Sequence, residues 1–198
     1  MRTNFYNDIV IKWTGNISLE EKIMLLFNKV RDIPYGSICS RNPKDVYLQQ
    51  KGTCSGKHEL LKGLYKSLGI PVKDYIILHS FNNLPVKYPK NIKEFLAKNK
   101  IVDPHNFLKI KIEDNWIVVD VTWDLPLKNL GFPVNENWNG KVDGKISVAQ
   151  GGKIMETDNP ILKKQELLSE FSVLEQKNRK QFLRLLTNWL EEERENLK

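Results

Sequence analysis

Lys51 to Val72, KGTCSGKHELLKGLYKSLGIPV, leaves the chain few ways to fold. Leu60, Leu61, Leu64 and Leu68, with Tyr65 beside them, recur at helical spacing. Gly69 is the stop, and Pro71 forbids continuation. A glycine and a small polar residue lead into Cys54, which therefore falls at or near the first turn of a buried helix. Unpaired backbone N–H groups and the helix dipole favour a thiolate there. That marks Cys54 as a candidate nucleophile, although a free cysteine is also a common core residue.

Around this helix the 198-residue sequence reads as one domain with room for a proper core. No stretch approaches the roughly 20 apolar residues of a membrane span, and MRTNFYNDIVIKW lacks a signal-peptide apolar core. Cys39 and Cys54 make a poor disulfide framework, and neither sits in metal-ligand spacing with a histidine. The expectation is a reduced, cytoplasmic protein with no metal, cofactor or membrane partner. The formal charge is +7, but residues 160–198 carry eight Lys/Arg against seven Glu. The excess upstream is scattered and not interleaved with aromatics, which argues for a solvated surface and against nucleic acid.

In chain order, residues 5–14 read weakly as a strand or extended arm. Ser18 and Glu21 form a capping box for a helix with the stripe Ile23, Leu26, Phe27 and Val30, ended by Ile33-Pro34. Residues 34–43 are a loop holding Cys39, which reads as structural or incidental, and Pro43 opens a short helical turn through Leu48. Beyond the Cys54 helix, Val72–Ser80 is strand-like, and a short helix falls over Ile92–Lys98. His105 to Asp124, HNFLKIKIEDNWIVVDVTWD, reads as a β-hairpin turning at Glu113–Asn115. That pairing sets His105, at the start of one strand, beside Asp120, near the end of the other. Leu125 to Gly152 reads as long loops with one or two short strands, such as Lys145–Ala149. Trp123 and Trp138 belong to packing rather than to a cleft. From Pro160 the sequence is helical, with apolar stripes to bury against the domain or a partner chain.

A thiol needs a base to become a good nucleophile, and an imidazole needs an acceptor to fix its orientation. Cys54, His105 and Asp120 offer those groups. Taken singly, each reads more simply as a core thiol, a capped strand end and a turn-proximal carboxylate. Asp120 tips the balance, because a carboxylate within Ile117-Val118-Val119-Asp120-Val121 is costly unless something pairs with it. His58, one turn beyond Cys54, competes as a base but reads better as a polar rim or partly packed residue. His79 reads as structural.

Gly52-Thr53-Cys54, the helix ending Leu68-Gly69-Ile70-Pro71, His105-Asn106-Phe107, and Trp116 through Asp120-Val121-Thr122-Trp123 together resemble the core of the transglutaminase-like superfamily. The resemblance covers about residues 43–124 and departs at His58, where a small residue is usual, and at Val121, where proline is common. It implies an α+β, papain-like fold: a nucleophile-bearing helix packed on an antiparallel β-sheet, with N- and C-terminal helices. The implied layout is a transglutaminase-like domain over 1–159, with its core at about 18–124, and a C-terminal helical extension over 160–198. The resemblance makes Cys54 the nucleophile, His105 the base and Asp120 the orienting carboxylate of a cysteine protease, amidase or acyltransferase acting on a peptide or amide through a thioester. It implies the Cys54 N–H as one oxyanion donor and, by analogy with papain-like enzymes, Gln49 or Gln50 as a second. A catalytically inactive relative that binds a protein partner through the C-terminal helix is the alternative.

Overall fold

The structure is a computed structural model that describes residues 4–148 and 152–196. Seven helices and four strands are described: α1 (Phe5–Thr14), α2 (Leu19–Arg31), α3 (Pro43–Gln49), α4 (Cys54–Ser67), β1 (Val72–Ser80), α5 (Lys90–Lys98), β2 (Val102–Ile112), β3 (Asn115–Val119), β4 (Met155–Thr157), α6 (Pro160–Ser169) and α7 (Val173–Asn196). The strands form one antiparallel sheet in the order β3-β2-β1-β4. This is the expected α+β arrangement, with the Cys54 helix packed on the sheet.

The local signals account for most of these elements. Ser18 and Glu21 bond reciprocally at the start of α2. Gly69 turns the chain out of α4 at φ +78°, a conformation that costs glycine little. Leu60, Leu61 and Leu64 of α4 are buried with Leu108, Ile110, Ile117 and Val119 of the sheet and with the α2 stripe, forming the larger core. The Tyr65 hydroxyl donates to Ile23 O at 3.0 Å, which fixes α4 against α2.

Two sequence expectations fail here. Residues 5–14 are a helix, not a strand or arm: Asn4 caps it by accepting from Tyr6 N, and Phe5, Tyr6, Ile9, Val10, Trp13 and Thr14 recur with a helical period. That stripe lies against α4, where Gly63 admits the Tyr6 ring so closely that an added Cβ would sit 2.1 Å from it. The expected strand at Lys145–Ala149 is also absent over its described residues, 145–148, and Ala149 lies outside them. The fourth strand comes later, as β4 on the free edge of β1. The segment before it stays irregular because its backbone bonds go elsewhere: Asn135 Oδ1 accepts from Lys145 N, and Asp120 Oδ2 accepts from Ser147 N.

A second apolar cluster joins Phe182, Leu186, Trp189 and Leu190 of α7 to Phe81, Tyr88, Trp123 and Phe132. Asp124 pins this cluster to the sheet region. It accepts from Tyr35 N at 2.8 Å and from Arg194 through Nη2 at 2.6 Å and Nε at 3.1 Å. The apolar face of the C-terminal helix is thus buried within this chain. Among the described residues, no helix is long and apolar enough to cross a membrane.

Candidate active site

Cys54 is the first residue of α4, and the Thr53 side chain does not cap the helix. The first-turn N–H groups beside the thiol are therefore not occupied by a side-chain cap. The approach is fixed by Gly52, whose N–H donates to Pro34 O at 3.1 Å and whose carbonyl accepts from Gly36 N at 3.2 Å. One turn on, fully buried Lys57 donates to Arg31 O and Thr122 O at 2.8 and 2.9 Å, tying α4 to the ends of α2 and the hairpin. Burial pushes the Lys57 amine down to about 7.

His105 and Asp120 meet, as the hairpin reading requires. The strand begins earlier than the sequence suggests, at Val102, so His105 lies within β2 and Asp120 follows β3 directly. His105 Nε2 donates to Asp120 Oδ2 at 2.7 Å. Asp120 also accepts from Ser147 N at 2.8 Å, Thr122 N at 3.0 Å and Thr122 Oγ1 at 2.7 Å. These four donors make ionisation of a buried carboxylate tolerable. Burial pushes Asp120 up, but the charge and hydrogen bond of His105 outweigh it and hold the carboxyl well below the usual range.

Nε2 of His105 is committed to Asp120, and Cys54 and His105 each shift the other's ionisation across the site. Burial presses the His105 imidazole down, yet the charge and bond of Asp120, with the thiolate beyond, raise it to about 9. Burial presses the Cys54 thiol up, yet the Lys164 charge and then the bond to His105 bring it down to about 5. Between those values the favoured state is a thiolate–imidazolium pair. Cys54 and His105 are only 6 % and 2 % exposed, so water screens that pair weakly.

The other two histidines do different work. His58 is fully buried, neither at a rim nor only partly packed. Its Nδ1 donates to Cys54 O at 2.7 Å and its Nε2 accepts from Val121 N at 3.1 Å, a tautomer inferred from these partners. Because Nε2 is an acceptor, its 3.5 Å approach to Asp120 Oδ1 is a contact and not a hydrogen bond. No nitrogen of His58 remains to serve the thiol; it staples the start of α4 to the end of the hairpin. His79 is buried, its Nδ1 has no partner among the described residues, and burial pushes it down to about 3. Its ring lies 5.9 Å from that of His105 and stays neutral there.

Sequence reasoning missed Lys164. This α6 lysine donates to Cys54 Sγ at 3.3 Å and to Ser55 Oγ at 2.8 Å and is only 4 % exposed. The signal was present: Pro160, Lys164 and Leu167 are the buried positions of α6, so a lysine occupies its inward stripe. Gln49 and Gln50, in contrast, are exposed, and the Gln50 amide turns back onto Tyr47 O. Neither borders the thiol. Trp123 and Trp138 are core residues whose indole N–H groups donate to Ser147 O and Val142 O.

Cys54 opens on a cleft of about 780 Å³ bordered by the Cys39 loop, α6 and α7. Cys39 itself is an exposed free thiol on that border, at φ +59°. Among the described residues, no group of histidines, cysteines and carboxylates is placed to hold a metal ion.

No protein-family model matches the chain, and no curated protein matches it. Among solved structures it is similar to a candidate cysteine protease from Cytophaga hutchinsonii. The identity is 20 % and the TM-score 0.43, over 76 % of this chain and 47 % of that one. The chain spans about half the length of that protein.

Proposed function

We propose that this chain is a cysteine hydrolase or acyltransferase of the transglutaminase-like, papain-type class, acting on a peptide or side-chain amide. The observation that carries this reading is the buried His105–Asp120 pair at 2.7 Å, on the sheet against which the helix that begins at Cys54 is packed. In this mechanism the Cys54 thiolate attacks the amide carbonyl carbon and forms a C–S bond. The carbonyl oxygen takes the negative charge and is met by the backbone N–H of Cys54. His105, protonated on Nδ1, gives that proton to the departing amine as the C–N bond breaks, leaving a thioester. The now neutral His105 then takes a proton from water, or from an acceptor amine, which attacks the thioester and releases the thiolate. Asp120 orients His105 and stabilises its charge throughout. Lys164 holds the thiolate in the resting state, so the C-terminal helices belong to the catalytic unit. A reducing compartment would keep both cysteines free.

A second reading, a non-catalytic protein-binding module, draws on the burial of the Cys54 sulfur. Alkylation by iodoacetamide from pH 4 to 9, in a Cys39→Ser background, separates the two. The catalytic reading expects reactivity to rise through about pH 5 to a plateau, and His105→Ala to move that acidic limb upward. A thiol that titrates near the ordinary value of about 8.5, or never reacts, favours the binding module.

A further inference from the structure

We infer that the cleft beside Cys54 is built for an acidic peptide, with carboxylate side chains next to the bond that is cut. This rests on the proposed cysteine chemistry and adds to it the class of substrate. The cleft draws five cations from three separate parts of the chain: Arg41 from the loop before α3, Lys164 from α6, and Arg179, Lys180 and Arg184 from α7. One carboxylate, Asp103, opposes them, and it is bound to Arg179. Among the described residues, Arg41, Lys180 and Arg184 make no ion pair, so their charge faces the cleft uncancelled. At the site the Cys54 thiolate, the His105 imidazolium, Asp120 and Lys164 sum to zero, so the cleft's excess positive charge comes from Arg41, Lys180 and Arg184.

The helical register of α7 produces this arrangement. Phe182, Leu186, Trp189 and Leu190 take its buried face, while Arg179, Lys180 and Arg184 lie on the face turned to the cleft. A concave site lined by one sign of charge focuses its field and concentrates ligands of the opposite sign. The volume suits a few peptide residues. A nucleic acid fits less well: among the described residues Tyr35 is the only aromatic ring on the lining, and it is buried, so none of them offers an exposed stacking platform for bases.

The test uses two dipeptidyl chloromethyl ketones of matched size, Glu-Glu and Gln-Gln, on the full chain with Cys39→Ser. In each, the Cys54 thiolate displaces chloride, and mass spectrometry follows the loss of free thiol. The Glu-Glu probe is expected to react roughly tenfold faster or more at low salt. That ratio should fall to near one in Arg41→Ser/Lys180→Ser/Arg184→Ser, and in the unaltered cleft at about 0.5 M salt, where the Debye length shrinks to a few Å. The salt arm keeps the test decisive if the triple variant does not fold. Equal rates for the two probes, a preference that survives both the variant and salt, or failure of both probes where iodoacetamide reacts would each overturn the inference. Protection of Cys54 by a single-stranded oligonucleotide, without discrimination between the peptide probes, would assign the cations to nucleic acid and overturn it as well. Failure of iodoacetamide itself at acidic pH would instead sink the cysteine chemistry beneath it.

Discussion

Two halves of the molecule meet at the Cys54 sulfur, and they treat charge in different ways. The sheet and α4 half buries its ionic groups and surrounds those at the site with hydrogen bonds. Asp120 has four donors, His105 is held through Nε2, and His58 has both nitrogens engaged. The α6–α7 half brings Lys164 against the sulfur but leaves Arg41, Lys180 and Arg184, on and opposite those helices, facing an open cleft. A dry and fully bonded environment fixes geometry and proton positions. A cationic and half-open one tunes the nucleophile and selects what reaches it. On the proposed mechanism, the first half supplies the chemistry and the second its setting.

The largest difference between the halves should appear in turnover. His105→Ala removes the base and proton donor, and amide cleavage is expected to fall by roughly 10³-fold or more. Removing Lys164 should cost far less. Comparing kcat/KM of the two variants on one acidic peptide amide checks this, and equal losses would erase the proposed division. For the unaltered protein, turnover should rise as the thiol ionises through about pH 5 and fall as His105 loses its proton through about pH 9. Thiol alkylation should survive that second step, because it needs the thiolate but no proton donor.

Asp120 shows next how much of the first half's stability hangs on one carboxylate. Asp120→Ala strands a buried imidazolium and three other donors, and breaking such a buried pair costs roughly 3–5 kcal/mol. Urea unfolding with an unchanged slope would report it. A loss below about 1 kcal/mol would mean that the carboxylate is not the hub its bonds imply.

Lys164 tests the second half in isolation. In Lys164→Met the apolar stem is kept and the charge is lost, so the midpoint of Cys54 alkylation should climb from about 5 toward the ordinary thiol range. A neighbouring opposite charge moves a pKa by roughly 1–3 units. The sign follows from the removal of a cation that favours the thiolate. An unmoved midpoint would leave the whole lowering to His105.

The same division explains what was legible in the sequence. The helix of Cys54, the strand Val72–Ser80 and the hairpin that joins His105 to Asp120 are built by local rules: capping, period and a tight turn. The contact that joins His105 to Asp120 spans only 15 residues. Lys164 reaches Cys54 across 110 residues of sequence, and no local pattern says where a C-terminal helix will dock. A lysine at an inward position of α6 resembled an ordinary solvated charge until its neighbours were known. Residues 5–14 misled for a different reason. Ile9, Val10 and Ile11 suggest a strand by composition, while Phe5, Tyr6, Ile9, Val10 and Trp13 follow a helical period, and tertiary packing on α4 favoured the period.

The smallest effect concerns the clamp that holds the halves together. Arg194 grips Asp124 with two nitrogens, and Asp124 also receives Tyr35 N, next to the Gly36–Gly52 pairing that leads into Cys54. Arg194→Met removes a partly buried charged partner and leaves the buried Asp124 carboxylate one donor, Tyr35 N. The expected loss is about 1–3 kcal/mol, the usual cost of depriving a buried charged group of its hydrogen bonds. Because Arg194 touches neither the thiol nor the imidazole, the alkylation profile should keep its acidic limb once the protein is folded. If that limb shifts, the α7 clamp also sets the position of Cys54, and the two halves are coupled mechanically as well as through the charge of Lys164.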